Sequence, residues 1–140
     1  MIRRTAITLA GALLALAGIP ALASAATRTV CASGCDYDTI QAAVTAAVDG
    51  DVIEVGAGTY PGATINKRVT IQGEGIAATT VQAATAFTLQ AGGSGSTLRD
   101  MTVRGTTATG TSYGITAVTG AVDDITLANL TITNARWAID

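Results

Sequence analysis

A phrase of eight residues occurs twice in the second half of the chain, and it constrains the fold more than any other feature. Residues 98–105, LRDMTVRG, and residues 127–134, LANLTITN, align at an offset of 29 residues, so that apolar positions, a threonine and a closing Gly or Asn coincide. Residues 68–73, RVTIQG, resemble the same phrase at an offset of 32. Repeats of 20–50 residues indicate a solenoid. Apolar residues alternate with threonine, which is the period of a β-strand.

The segment 38–75 is predicted to begin this solenoid. Asp38 is expected to be a helix N-cap, with Gln41 three residues later as in a capping box. The apolar side chains of Ile40, Ala43, Val44 and Ala47 then fall on one helical face. A helix of about ten residues is marginal alone. We therefore expect it to cover the open end of a stack of strands.

Three short strands are predicted to follow the helix and to form the first coil, at 51–55, 63–65 and 68–71, with a glycine-rich turn at 56–62. Further strands are predicted at 80–82, 87–89 and 98–103 for a second coil, and at 115–118, 125–127 and 130–132 for a third. Residues 137–139 would open a fourth coil. A β-sandwich is the alternative, but the Asn-Gly and Asp-Gly dipeptides of tight hairpins are missing from the connections between these strands.

The first 25 residues have the pattern of a signal peptide. Arg3 and Arg4 precede an apolar run at 7–19, and Ala23-Ser24-Ala25 is a small-x-small cleavage pattern. Cleavage after Ala25 would leave a 26–140 domain that is secreted, extracellular or periplasmic, without a membrane segment. This mature chain has six basic and ten acidic residues, a net charge of −4. The balance argues against nucleic-acid partners, and the absence of histidine excludes histidine-based catalysis within these residues.

Cys31 and Cys35 are the two cysteines of the chain. In an exported protein this spacing predicts a disulfide, with two free thiols as the alternative. A loop this short would stabilise the fold by about 2 kcal/mol on the chain-entropy model. Its expected role is to hold the N-terminal strand against the start of the helix.

Several groups of side chains have the right chemistry for a site, but each has a simpler structural explanation. The adjacent carboxylates Asp123 and Asp124 could hold Ca²⁺ or act as acid and base, yet they fall in an expected turn. The sequence thus predicts no cofactor, and Ca²⁺ has no further support. A charged row that could bind uronic acids is formed by Asp100, Arg104 and Arg136. Three aromatic side chains could stack on sugar rings: Tyr60, Tyr113 and Trp137. Asn129 has the pattern of a glycosylation acceptor, but its repeat partner is Asp100, and it is therefore interpreted as structural.

The residues 36–60, DYDTIQAAVTAAVDGDVIEVGAGTY, and 65–75, INKRVTIQGEG, resemble the opening of pectin-lyase-like right-handed parallel β-helix proteins. The resemblance covers essentially the whole mature chain. It implies an all-β solenoid with a short N-terminal capping helix, secretion, and contact with acidic or neutral polysaccharide. It identifies no catalytic position, because the acidic, basic and Gly-His-Gly motifs of the family's enzymes are not found.

Two functions are therefore hypotheses. The protein binds or processes polysaccharide, with any catalytic residues outside this fragment, or it is a non-catalytic surface or adhesion module. The chain is expected to be a monomeric part of a longer protein, because a solenoid needs a cap at each end and a strand begins just before Asp140.

Overall fold

The computed structural model describes residues 24–107, 112–118 and 122–139, and for 136–139 it describes the backbone alone. About half of the described residues, 49%, are in strands, and they include one short α-helix. The elements are β1 (Thr27–Val30), α1 (Ile40–Ala46), β2 (Val52–Val55), β3 (Gly58–Tyr60), β4 (Ala63–Ile65), β5 (Thr70–Gly73), β6 (Thr79–Ala83), β7 (Thr85–Leu89), β8 (Thr97–Gly105), β9 (Tyr113–Ala117), β10 (Thr126–Thr133) and β11 (Arg136–Ile139).

The strands stack into a parallel β-solenoid of about four turns, as predicted. Its first face consists of β1, β2, β5 and residues 97–99 of β8, each paired in parallel with the next. Its second face consists of β3, β6 and residues 102–105 of β8. Its third face consists of β4, β7, β9 and β11. The strand β10 pairs with β8 and so extends both the first and the second face. The right-handed winding remains a prediction.

The 29-residue repeat is confirmed by the register between β8 and β10. Leu98 lies beside Leu127, Met101 beside Leu130 and Val103 beside Ile132. The second repeat, at an offset of 32, is wrong, because Ile71 lies beside Leu98 and not beside Val103. The residues 68–73 can be aligned with the first or with the second half of β8. Because β5 lies on the first face, it pairs with the first half, residues 97–99.

Strands occur at the predicted places, with 125–127 and 130–132 joined in the single strand β10, but their grouping into coils is corrected by the pairing. Gly58–Tyr60, expected to be part of a turn, is the strand β3 and begins the second face. The strand at 70–73, assigned to the end of the first coil, instead stacks on β2 and begins the next coil. A three-residue strand in a glycine-rich segment has the composition of a turn. It can be recognised as a strand only from its pairing with β6 of the neighbouring coil.

Apolar side chains from all three faces fill the interior, and α1 closes one end of it. The predicted stripe is confirmed: Ile40, Ala43 and Val44 are fully buried and Ala47 nearly so. The N-cap is Thr39, whose Oγ1 accepts a hydrogen bond from the Ala42 amide at 3.2 Å, so the prediction of Asp38 was wrong by one residue.

The side chain of Gln41 joins α1 to the third face instead of completing a capping box. Its Oε1 accepts a hydrogen bond from the Thr64 amide at 2.8 Å. Within the described residues no helix is long and apolar enough to cross a membrane.

The Cys31–Cys35 disulfide is present, as predicted. It closes the short loop that follows β1, and this loop returns to the strand in a parallel bridge between Val30 and Tyr37. The Cys31 amide donates to the Tyr37 carbonyl and the Tyr37 amide to the Thr29 carbonyl. The bond thus joins β1 to the segment that leads into α1. A disulfide is consistent with an oxidising, extracellular compartment.

Candidate functional site

A row of polar side chains runs across the outer surface of the first face. The parallel register places Thr29 beside Glu54, Glu54 beside Gln72 and Gln72 beside Arg99. Side chains alternate along each strand, so these four point away from the core that their neighbours Ile53, Ile71 and Leu98 fill. Neighbouring strands are about 4.8 Å apart, and the row therefore spans about 14 Å along the solenoid.

A groove with a volume of about 230 Å³ lies over part of this row. The disulfide loop contributes Cys35 to its lining, and the segment after β5 contributes Glu74. The full lining is Thr29, Val30, Cys35, Glu54, Val55, Gly56, Gln72, Gly73 and Glu74.

Hydrogen bonds order one end of the row. Arg99 Nη2 donates to Gln72 Oε1 at 2.5 Å, and Arg99 Nε lies 3.9 Å from Asp100 Oδ2. The Arg99 side chain remains 44% exposed, so part of its guanidinium is free to meet a ligand. With the Gln72 oxygen engaged by Arg99, the amide nitrogen of the same side chain is the group that can donate a hydrogen bond to a ligand.

The other end of the row is ordered by Asp36. Its Oδ2 accepts hydrogen bonds from the Thr29 amide at 3.0 Å and from Thr29 Oγ1 at 2.9 Å. These bonds, the backbone one first, hold the pKa of Asp36 below its usual value. Asp36 is therefore ionised at neutral pH, and Thr29 is held in one rotamer.

Carboxylates dominate the charge of the groove. Glu54 and Glu74 are both exposed at its rim, and Arg99 beyond Gln72 is the balancing cation. Glu74 also raises the pKa of Tyr60, although burial of the phenol raises that pKa more. The arrangement offers hydrogen-bond acceptors and donors to hydroxyl groups, and it disfavours a second anion.

The sequence did not single out Glu54, Gln72, Glu74 or Arg99. The available signal was the alternation of each strand, which places Glu54 and Gln72 outward; their adjacency needed the register between β2 and β5. The strands at 51–55 and 68–71 were assigned to the same coil, and the offset of 32 misaligned β5 with β8, so the row could not be found.

Most sequence-predicted candidates are not brought together. Asp123 and Asp124 are exposed in the connection before β10, and Asp124 has a positive φ of 57°. This conformation suits a turn, as the structural explanation predicted. Among the described residues, no three His, Cys, Asp or Glu side chains cluster as metal ligands.

Asp100 and Asn129 form a corner between the first and second faces. Both have positive φ, 60° and 48°, and Asn129 Nδ2 donates to Asp100 Oδ1 at 2.7 Å. The structural interpretation of Asn129 as the repeat partner of Asp100 is confirmed. Arg104 lies further along β8 and is exposed; Asp100 contacts Arg99 and Asn129 rather than Arg104. The side chain of Arg136 is outside the described residues.

The three aromatic candidates are also separate. Tyr60 is 5% exposed and donates from its hydroxyl to the Ala57 carbonyl at 3.2 Å, so it packs against the turn before β3 instead of offering its ring to a sugar. Tyr113 is exposed on the third face. The side chain of Trp137 is outside the described residues. No platform of stacked rings is formed by the two tyrosines.

A second concavity, of about 220 Å³, lies where α1 meets the third face. It contains mainly threonine and alanine side chains together with Gln41. Since the described residues that line it carry no charge, it is a useful control surface for the groove on the first face. Its lining is Gln41, Gly62, Ala63, Thr64, Ala83, Thr85 and Thr88.

Comparison of the chain with protein-family models, with curated proteins and with solved structures finds no match.

Proposed function

We propose that the protein is an extracellular β-solenoid that binds an extended polysaccharide along the outer row of its first face. The observation that carries the proposal is the row Thr29, Glu54, Gln72 and Arg99, which opens into the groove beside the disulfide. A linear chain of sugars presents hydroxyl groups at regular intervals. Regularly spaced donors and acceptors on successive strands suit such a ligand.

The charge of the groove favours a neutral polysaccharide over a polyuronate. Two exposed carboxylates, Glu54 and Glu74, would repel the carboxylates of a uronic-acid chain unless a cation stood between them. Carboxylates are at the same time strong acceptors for sugar hydroxyls. The resemblance of segments 36–60 and 65–75 to pectin-lyase-like right-handed β-helices, together with the predicted signal peptide, is further support for a secreted glycan-binding protein.

Cleavage of the polysaccharide is a second candidate, favoured by the presence of two carboxylates in one groove. Glycosidases use a carboxylic acid and a carboxylate on either side of the scissile bond. If cleavage does not occur, the protein is the non-catalytic surface or adhesion module that was the alternative from the sequence.

Binding to immobilised neutral glycans and to polygalacturonate, with and without Ca²⁺, tests the proposal. We expect Gln72→Ala and Arg99→Ala to weaken binding of the preferred neutral glycan about 10-fold, the effect of one or two lost hydrogen bonds. Thr85→Ala and Thr88→Ala, in the second concavity, are the matched controls and should bind as the unmodified protein does. Equal binding by all four variants would overturn the assignment of the site.

Product analysis separates the two candidates. Release of new reducing ends or unsaturated sugars that is lost in Glu54→Gln or Glu74→Gln would establish cleavage. Binding without products would establish the non-catalytic module.

A further inference from the structure

The carboxylate of Asp51 is buried just outside the first face and is held by three donors. Asp51 lies between α1 and β2, and its side chain is fully buried. Oδ1 accepts from the Ala26 backbone nitrogen at 2.8 Å. Oδ2 accepts from Arg28 Nε at 2.8 Å and from the Val48 amide at 3.0 Å. The two backbone bonds, from Val48 and Ala26, are the main reason that the pKa of Asp51 is lowered.

Ala26 is exposed and lies directly before β1. Its carbonyl accepts a hydrogen bond from the Val52 amide at 2.9 Å, which aligns it with the start of β2. The small-x-small pattern Ala23-Ser24-Ala25 ends immediately before it. The nitrogen that the predicted cleavage would free is therefore the nitrogen that already donates to Asp51.

We propose that removal of the leader converts this hydrogen bond into an ion pair between the α-ammonium of Ala26 and Asp51, so that processing fastens β1 to the solenoid. The inference rests on the predicted signal peptide and is independent of the polysaccharide proposal. Hydrolysis breaks the bond between the Ala25 carbonyl carbon and the Ala26 nitrogen. Water supplies hydroxyl to the carbon and hydrogen to the nitrogen; the new acid of Ala25 then loses a proton, and the amine of Ala26 takes one.

The site suits an ammonium group for two reasons. The Asp51 oxygen is removed from water, so the attraction is screened less than in a surface pair. Ala26 itself is exposed, so the other hydrogens of the ammonium remain in water and little desolvation opposes the pair.

Few other ionisable groups of the described residues face Asp51. Arg28 is the charged side chain that contacts it, and Arg28 Nη1 in turn donates to the Tyr37 hydroxyl at 3.2 Å. The helix α1 carries no charged residue. Asp49, two residues earlier, is exposed and accepts from the Arg68 amide.

The first experiment determines where the exported protein begins. The full chain is expressed with its leader, and the intact mass of the exported product is measured. A product that begins at Ala26 agrees with the proposal. Any other first residue would leave the α-ammonium out of reach of Asp51 and would overturn it.

The second experiment measures the pKa of the α-amine from its rate of acylation against pH, with the modified peptide identified by mass spectrometry. Lys67 is the one other amine of the mature chain, so the two products are easily separated. We expect the pKa of the α-amine to be raised above about 8 in the folded protein, which makes acylation at neutral pH about 10-fold slower than in urea for each unit of the shift. The Asp51→Asn variant should abolish this difference, while Asp38→Asn, an exposed carboxylate nearby, should retain it. An α-amine with the same pKa when folded and unfolded would overturn the proposal.

A third comparison avoids dependence on whether Asp51→Asn folds. A protein that retains Ser24 and Ala25 before Ala26 keeps the neutral amide at the same place. Because the pKa of the paired α-amine is raised, its stabilising effect is complete below about pH 8 and is lost as the pH rises through the folded-state value. The protein that begins at Ala26 should therefore have the higher urea midpoint at pH 7 and should lose that advantage at pH 10. Equal midpoints at pH 7 would contradict the ion pair.

Discussion

At the scale of single residues, the described structure depends on a few polar groups that the core encloses. Asp51 is the clearest example, because a buried carboxylate destabilises the fold unless hydrogen-bond donors contact its oxygens. Those donors come from the segment before β1, from β1 and from the end of α1. The pattern of apolar and polar residues around Asp51 does not reveal them, and the sequence analysis placed residue 51 only at the start of the predicted strand 51–55.

Acid should weaken the fold through Asp51. Its pKa is lowered in the folded protein, so its contribution is fully present above the unfolded-state value of about 3.9 and is lost as the pH falls through the folded-state value. We expect the urea midpoint of the unmodified protein to fall below about pH 4 more steeply than that of Asp51→Asn, which should already be about 2 kcal/mol less stable at pH 7.

The matched control is Asp38→Asn, which removes an exposed carboxylate next to α1. It should follow the pH dependence of the unmodified protein. Parallel curves for the unmodified protein and Asp51→Asn would show that Asp51 is not the titrating group, since Asp36, whose pKa is also lowered, is common to both.

Gly73 is a second residue whose role could not be predicted from the sequence. A β-carbon at Gly73 would collide with the Asp100 carbonyl oxygen and with the side chains of Thr79 and Met101. In the sequence Gly73 is only the closing residue of the match at 68–73, whereas the structure needs a glycine there for the close approach of the next coil. Contacts between coils cannot be predicted before the register is known.

At the scale of elements, α1 is a capping helix of seven residues, and side chains outside the helix form hydrogen bonds with both of its ends. Thr39 caps its first turn, and Lys67 Nζ donates to the Thr45 and Ala47 carbonyls at 2.6 and 2.7 Å at its last turn. A helix this short is not stable alone. Its position over the open core must therefore come from these contacts and from its buried stripe.

Replacement of Lys67, whose side chain bonds to the last turn of α1, should lower the stability of the protein by weakening the attachment of this helix. Lys67→Met keeps the length of the side chain but removes the two hydrogen bonds and the positive charge at the helix C-terminus, at an expected cost of about 1 kcal/mol. Thermal unfolding followed by circular dichroism measures the change. Arg104→Met, an exposed cation on β8, is the control and should leave the midpoint nearly unchanged; an equal effect of both would indicate a general loss of charge.

Prediction from the sequence was most accurate for some secondary-structure elements and clearly wrong for others. The 29-residue repeat located β8 and β10 with the correct register, because both strands are long and alternate regularly. The helix stripe was correct because its spacing is specific. The strand β3 was missed because Gly58–Tyr60 is too short to alternate, and this error shifted the assignment of β5 to the wrong coil.

At the scale of the whole molecule, each coil contacts its neighbours and little else. The strand β8 pairs with β5, β6 and β10, whereas β1 pairs with β2 and bridges to Tyr37. Stability in such a chain is approximately a sum of local terms and interfaces between neighbours. Regions can consequently open separately, with different free energies.

Hydrogen exchange should reveal this separation when the disulfide is removed. In the double variant Cys31→Ser, Cys35→Ser, we expect the amides of β1 to exchange up to about 30-fold faster, the equivalent of the ~2 kcal/mol that loop closure contributes. The amides of β8, which lies between other coils on both sides, should exchange at nearly the same rate as in the unmodified protein. A uniform acceleration across β1 and β8 would show instead that the solenoid unfolds as one cooperative unit, and that the disulfide stabilises the whole of it rather than its first strand.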